Sequence, residues 1–146
     1  MNRHRQRAKR PLSAEEVEWV ARQQDLGVGG LPPEAYDWSY VPAFQLARVG
    51  PPPGLPLDRP SGRDEWVAFL HDERVDEGAD IWGDDFATWV QRAFAKVTSG
   101  GEVGADVPVV LVRVGNLYQP WDGRHRIGVA HEAGLRAVPA FVGVPR

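Results

Sequence analysis

The sequence predicts a mixed α+β domain, and two observations carry that prediction. Segments with helical spacing occupy the first two thirds of the chain. After them comes an abrupt β-branched run, Val107 to Val114, followed by a turn, a second strand, a helix and a last strand. Helices first and then strand, hairpin, helix and strand is an α+β order rather than a repeating β-α alternation.

Taking the elements in order, residues 1–12 form a basic arm with Arg3, Arg5, Arg7, Lys9 and Arg10. The arm reads as a solvated, disordered terminus or as a nucleic-acid contact. Ser13 then reads as a helix N-cap, and Glu16 three residues on completes a capping box. Val17 and Val20 begin an apolar stripe, extended loosely by Leu26, and Gly27 ends the helix. Gly29 to Pro33 is a break. Tyr36 to Val41 reads as a short strand, followed at Pro42 by a turn or short helix through Ala47.

Gly50 to Pro60 is rich in proline and glycine and therefore irregular. Pro51 to Pro53 favour polyproline geometry, as a stiff connector or a recognition motif. Ser61 starts a helix with Trp66, Phe69 and Leu70 on one side, and Gly78 closes that region. A further helix spans about Gly83 to Val97, where Phe86, Trp89, Val90, Ala93, Phe94 and Val97 keep the 3.6-residue period. Asp84 and Asp85 at its start read as caps or, less simply, as metal ligands.

Val107 to Val114 is the pattern of a buried strand. Gly115-Asn116 is a two-residue hairpin turn, and Leu117 to Trp121 is the returning partner. Residues 123–133 read as a helix with Ile127 and Ala130 inward and Gly134 as its stop, and Ala137 to Val142 as the final strand.

Bulk properties narrow the function. The chain has 146 residues, 42% apolar and 25% charged, which fits one globular domain over 13–146 with an insertion at 50–82. It has no cysteine, so disulfides, thiolate nucleophiles and cysteine-based zinc sites are excluded. No apolar run reaches membrane-span length and no signal peptide opens the chain, so a cytoplasmic protein without a membrane partner is expected. Net charge is −3, with +5 on the first ten residues and hence −8 on the remainder. An acidic body with a basic arm does not suit a broad DNA-gripping face.

The segment that carries chemistry is Asp122-Gly123-Arg124-His125-Arg126. A strand ends, a glycine turn follows, and a helix starts at once. Helix N-termini present backbone N–H groups and the positive end of the macrodipole. Cationic side chains there add like charge, and a bound anion would reverse that penalty; phosphate is the natural ligand. The alternative is that Asp122 is a simple N-cap and the arginines are solvated. Trp121 reads as a core residue or as a base-stacking partner. His125 and His131 are six apart, on different helix faces, and make no metal pair. Glu132 reads as a surface residue.

Together with Pro108-Val-Val-Leu-Val-Arg113, Leu117-Tyr118, Ala133-Gly-Leu135 and Val138-Pro-Ala-Phe-Val142, the Asp-Gly-Arg-His-Arg-Ile element resembles the ParB/sulfiredoxin superfamily. The clear match covers 107–142; residues 38–49 resemble that family's opening strand and turn, and 83–97 its preceding helix. The resemblance implies a ParB/sulfiredoxin-like mixed sheet with a strand–turn–helix phosphate site and an N-terminal helical extension. It implies that Gly123, Arg124, His125 and Arg126 bind phosphate, that Asp122, His125 and Arg126 are the catalytic set, and that no metal is held directly by the protein. Asp122 would orient His125 or Arg126, or hold a metal through water. The implied cofactor is a nucleoside triphosphate or diphosphate, with or without Mg.

Departures from the family matter as much. Arg124 stands where sulfiredoxins carry their cysteine, which excludes sulfinic-acid repair. The turn is not the Gly-Glu-Arg-Arg type of partition proteins. It is closer to the Asp-Gly-His-His-Arg type of the branch that includes free serine kinases, whose added glutamate has no assignable equivalent here. The implied activity is a small nucleotide-dependent phosphotransferase or NTPase. The alternatives are a ParB-like nuclease or DNA-binding module using the basic arm, or a catalytically silent interaction domain.

Overall fold

Along Val109, Val110, Leu111 and Val112, successive side chains enter two different cores. That is the two-residue period of a strand covered on both faces. The computed structural model describes residues 9–23, 30–56, 60, 62–77 and 108–146. The helix expected over 83–97, its Asp84-Asp85 start and residues 1–8 of the basic arm lie outside the described residues.

The described elements are β1 (Arg10–Pro11), α1 (Ala14–Arg22), β2 (Tyr36–Gln45), α2 (Arg63–Glu77), β3 (Val109–Val114), β4 (Leu117–Asp122), α3 (Arg124–Glu132) and β5 (Ala137–Pro145). Single 3₁₀ turns at Pro33–Ala35 and Leu46–Arg48 flank β2. The five strands form one mixed sheet in the order β1-β2-β5-β3-β4. β3 runs parallel to β5, and the other neighbours are antiparallel. No described helix is long and apolar enough to cross a membrane.

One face of the sheet carries Phe44, Val109, Leu111, Tyr118, Val138, Ala140 and Val142 under Trp66 of α2 and Ile127 and Ala130 of α3. The other carries Tyr36, Trp38, Tyr40, Val110, Val112, Trp121 and Phe141 under Val20, with Val17 and Trp19 of α1 beside it. Gly143 makes room there: a Cβ at that position would lie 2.8 Å from the Trp38 ring.

Local signals explain the element ends. Ser13 Oγ accepts from the Glu16 N–H, and the Glu16 carboxylate accepts from the Ser13 N–H, so the expected capping box is present. Arg10 holds that carboxylate from outside with two bonds of 2.7 and 2.8 Å. Gly115 has φ +64° while no non-glycine residue among the described ones has a positive φ, which fits a type II′ hairpin turn rather than type I′. At the end of α3, the Gly134 N–H reaches the His131 carbonyl and the Leu135 N–H the Ala130 carbonyl, with Gly134 at φ +78°. This double bond pattern is a Schellman motif.

Three expectations need correction. α1 ends at Arg22 with Gln23 as its C-cap, short of the expected stop at Gly27. β2 does not end before Pro42; it continues to Gln45. A register shift between Val41 and Phe44 inserts one extra residue, and a bulge of this kind lets a proline sit in a strand. β5 likewise runs past Val142 to Pro145, because the first residues of β2 pair with it. In the region read as an insertion, residues 51–56 are irregular as expected, while α2 packs on α3. The Trp66 indole N–H donates to the Gly50 carbonyl at 3.1 Å, and the Gly50 N–H donates to the Tyr118 carbonyl at 2.7 Å. The chain at Gly50 therefore joins α2 to the outer edge of β4.

Candidate functional site

The site forms where β4 becomes α3. Val110 pairs with Asp122 while Leu111 pairs with Pro120, which leaves Trp121 as an extra residue in β4. Such a bulge bends a strand and re-aims the residue after it. Gly123 follows as the N-cap of α3 with φ +101°. A Cβ on Gly123 would lie 2.7 Å from Val109 Cγ1 and 3.1 Å from Arg126 Nη2. Both conformation and space require glycine here. Helical bonding starts from its carbonyl, which accepts from the Ile127 N–H at 3.0 Å.

Asp122 is not the N-cap that a sequence reading allowed. Its Oδ2 accepts from Arg126 Nη2 at 3.2 Å, one turn along the helix. The two side chains are 21% and 18% exposed, so the pair is largely withdrawn from water. Burial pushes the Arg126 pKa down, and the Asp122 charge pushes it back up. A guanidinium in this position gains from every anion brought near it.

His125 packs in a nearly parallel stack on Phe69 of α2, with centroids 6.1 Å apart and planes 18° apart. Arg124 and His125 are both half-buried at the head of α3. The five predicted residues therefore lie together at one strand–helix junction. Ile127 and Ala130 point inward as expected.

Of three neighbouring residues, Trp121 takes the core alternative, Glu132 departs from expectation and His131 gains a partner the sequence did not show. Trp121 is fully buried in the core on the sheet face opposite α3, edge-on to Tyr36 and Trp38, so it cannot stack on a ligand at the turn. Glu132 is half-buried rather than a surface residue, with Oε2 enclosed and 3.8 Å from His71 Nε2. His131 is buried and stacks on Trp66 at 6.3 Å and 8°. Burial first, and then Arg63, hold the His131 pKa below its ordinary value. Both histidines of α3 thus reach aromatic rings of α2, although they stand on different helix faces. Sequence reading missed the roles of Phe69 and Trp66 at this helix; their spacing marked only an apolar stripe.

The donor set suits an anion better than a metal. Among the described residues, no group of three His, Asp or Glu side chains is placed to hold a metal ion. The carboxylate nearest the turn, Asp122, already neutralises Arg126, so a cation on Asp122 would face that guanidinium at ion-pair distance. A metal ligated by Asp122 does not fit this arrangement.

No protein-family model matches this chain, and no curated protein or solved structure matches it either.

Proposed function

We propose that the β4–α3 turn binds phosphate, and that the chain is a small nucleotide-dependent phosphotransferase or NTPase of the ParB/sulfiredoxin type. One observation carries this reading most: Arg126 lies largely out of water at the head of a helix, beside a glycine at φ +101°. Cation and helix dipole favour the same ligand. In this reading Arg124 and Arg126 clamp phosphate oxygens, Gly123 lets the Arg126 guanidinium lie against the turn, and His125 stabilises the transferring group or the leaving oxygen. Asp122 orients Arg126.

The nucleic-acid alternative rests on the basic arm. Within its described part, Arg10 is engaged twice by Glu16, which weakens that alternative.

The test is a thermal-shift screen of nucleotides with and without Mg and with EDTA. A ligand at about a hundred times its Kd stabilises by roughly 2.7 kcal/mol. The expected result is a shift with a nucleotide that persists in EDTA. Arg126→Ala should abolish it while leaving the circular dichroism spectrum unchanged. No shift with any nucleotide overturns the reading. Salt-sensitive DNA binding would then favour a nucleic-acid module, and its absence a silent interaction domain.

A further inference from the structure

The first two turns of helix α2, Arg63 to Leu70, touch α3 from its C-terminal to its N-terminal end. At the C-terminal end, Arg63 Nε donates to the His131 carbonyl at 3.0 Å, and Trp66 stacks on the His131 ring. In the middle, α2 presses onto Gly128: a Cβ there would lie 3.2 Å from Leu70 Cβ and 3.4 Å from the Trp66 carbonyl oxygen. At the N-terminal end, Phe69 lies against His125. Trp66 and Leu70 are fully buried, so α2 is itself held firmly by the core.

Phe69 differs from its neighbours. It is only half-buried, and besides its edge-on contact with Trp66 at 5.6 Å its ring meets a ring of the candidate phosphate turn. A histidine ring has a broad, roughly two-fold χ2 preference, so its own rotamer does not fix where its nitrogens point. A flat aromatic surface beside it restricts the plane in which the ring, and with it the nitrogens, can lie. We propose that Phe69 is a positioning residue: its ring sets the plane of the His125 imidazole, and the Gly128 contact sets the helix spacing at which the two rings meet. This rests on the phosphate reading of the turn.

The test uses the full chain with inorganic phosphate and with any nucleotide active in the thermal-shift screen. Phe69→Leu keeps an apolar side chain and removes the aromatic face; Phe69→Tyr keeps the face. The ring protons of His125, assigned by NMR against His125→Gln, report the stack directly. For Phe69→Leu the expected result is a downfield move of the His125 ring protons and about a fivefold loss of anion affinity, the scale of one aromatic pair. Its thermal midpoint without ligand should fall by a few degrees, since the edge contact with Trp66 is lost as well, and the His125 ring shift and its rescue by Phe69→Tyr separate the positioning role from that loss. Phe69→Tyr should restore both shift and affinity, and Gly128→Ala should reproduce the affinity loss from outside the turn. If wild-type protein binds and Arg126→Ala does not, while Phe69→Leu binds like wild type with unmoved His125 signals, the positioning role is wrong and the phosphate site stands. If wild-type protein binds no anion at all, both fall.

Discussion

Gly123 shows how one missing side chain serves both fold and site. Its φ of +101° is a conformation that other residues rarely adopt, and the space where a Cβ would sit is taken by Val109 and Arg126. Gly123→Ala should therefore destabilise the chain by about 1–3 kcal/mol through backbone strain alone. Relief of the clash would also displace the Arg126 guanidinium. A denaturant melt checks the first effect and phosphate titration the second; a variant matching wild type in both would sink this account of the turn. The Asp122–Arg126 pair was half legible. Their i, i+4 spacing was visible, but not whether Asp122 would cap the helix or hold the arginine. The strand bulge at Trp121 and the left-handed Gly123 decide that, and a bulge has no sequence signature comparable to a capping box.

At the scale of elements, the start of α1 was the most readable, while its end at Arg22 came before the expected glycine stop. Ser13 and Glu16 predicted the capping box, because both halves of that motif are local. Arg10 was not readable as a partner of Glu16; β1 brings it there by pairing with Tyr40. The consequence is acid sensitivity. Chiefly the hydrogen bonds from Arg10, and then those at Ser13, hold the Glu16 carboxyl down at about 2, against an ordinary 4.5. A depressed carboxyl contributes stability that is complete above its unfolded pKa and is lost as pH falls through the folded one. Thermal midpoints should therefore decline between about pH 4.5 and 2, and Glu16→Gln should flatten that decline. Equal slopes for the two proteins would show that the pair does not matter to stability. β2 was the least readable element, since Pro42 signals a break and only the pairing partner β5 reveals that the strand absorbs it as a bulge.

For the molecule as a whole, the α+β class and the strand–turn–helix–strand order of the second half were legible from residue pattern. The β-branched run and the Gly115-Asn116 turn are strong local signals. The pairing order of the sheet was not, because β2 meets β5 across most of the chain and no local pattern encodes such distance. The same holds for the aromatic core beneath α1, where Trp38 lies over Gly143 of β5. Gly143→Ala should cost about 1–3 kcal/mol by overpacking, since a buried indole has little room to retreat. An unchanged melting midpoint would mean that the two strands can separate locally.

Helix α3 has a left-handed glycine at each end, Gly123 before it and Gly134 after it. Nine residues lie between Gly123 and Ala133, and both boundaries are fixed by backbone geometry rather than by fraying. Inserting a single residue inside the helix would turn everything beyond it by about 100°. Gly128 would then no longer face Leu70, or Arg126 would no longer face Asp122, depending on the side of the insertion. Length variation in this protein should therefore be confined to segments such as 51–56 and the β3–β4 turn, and the helix behind Gly123 should tolerate neither an added nor a deleted residue.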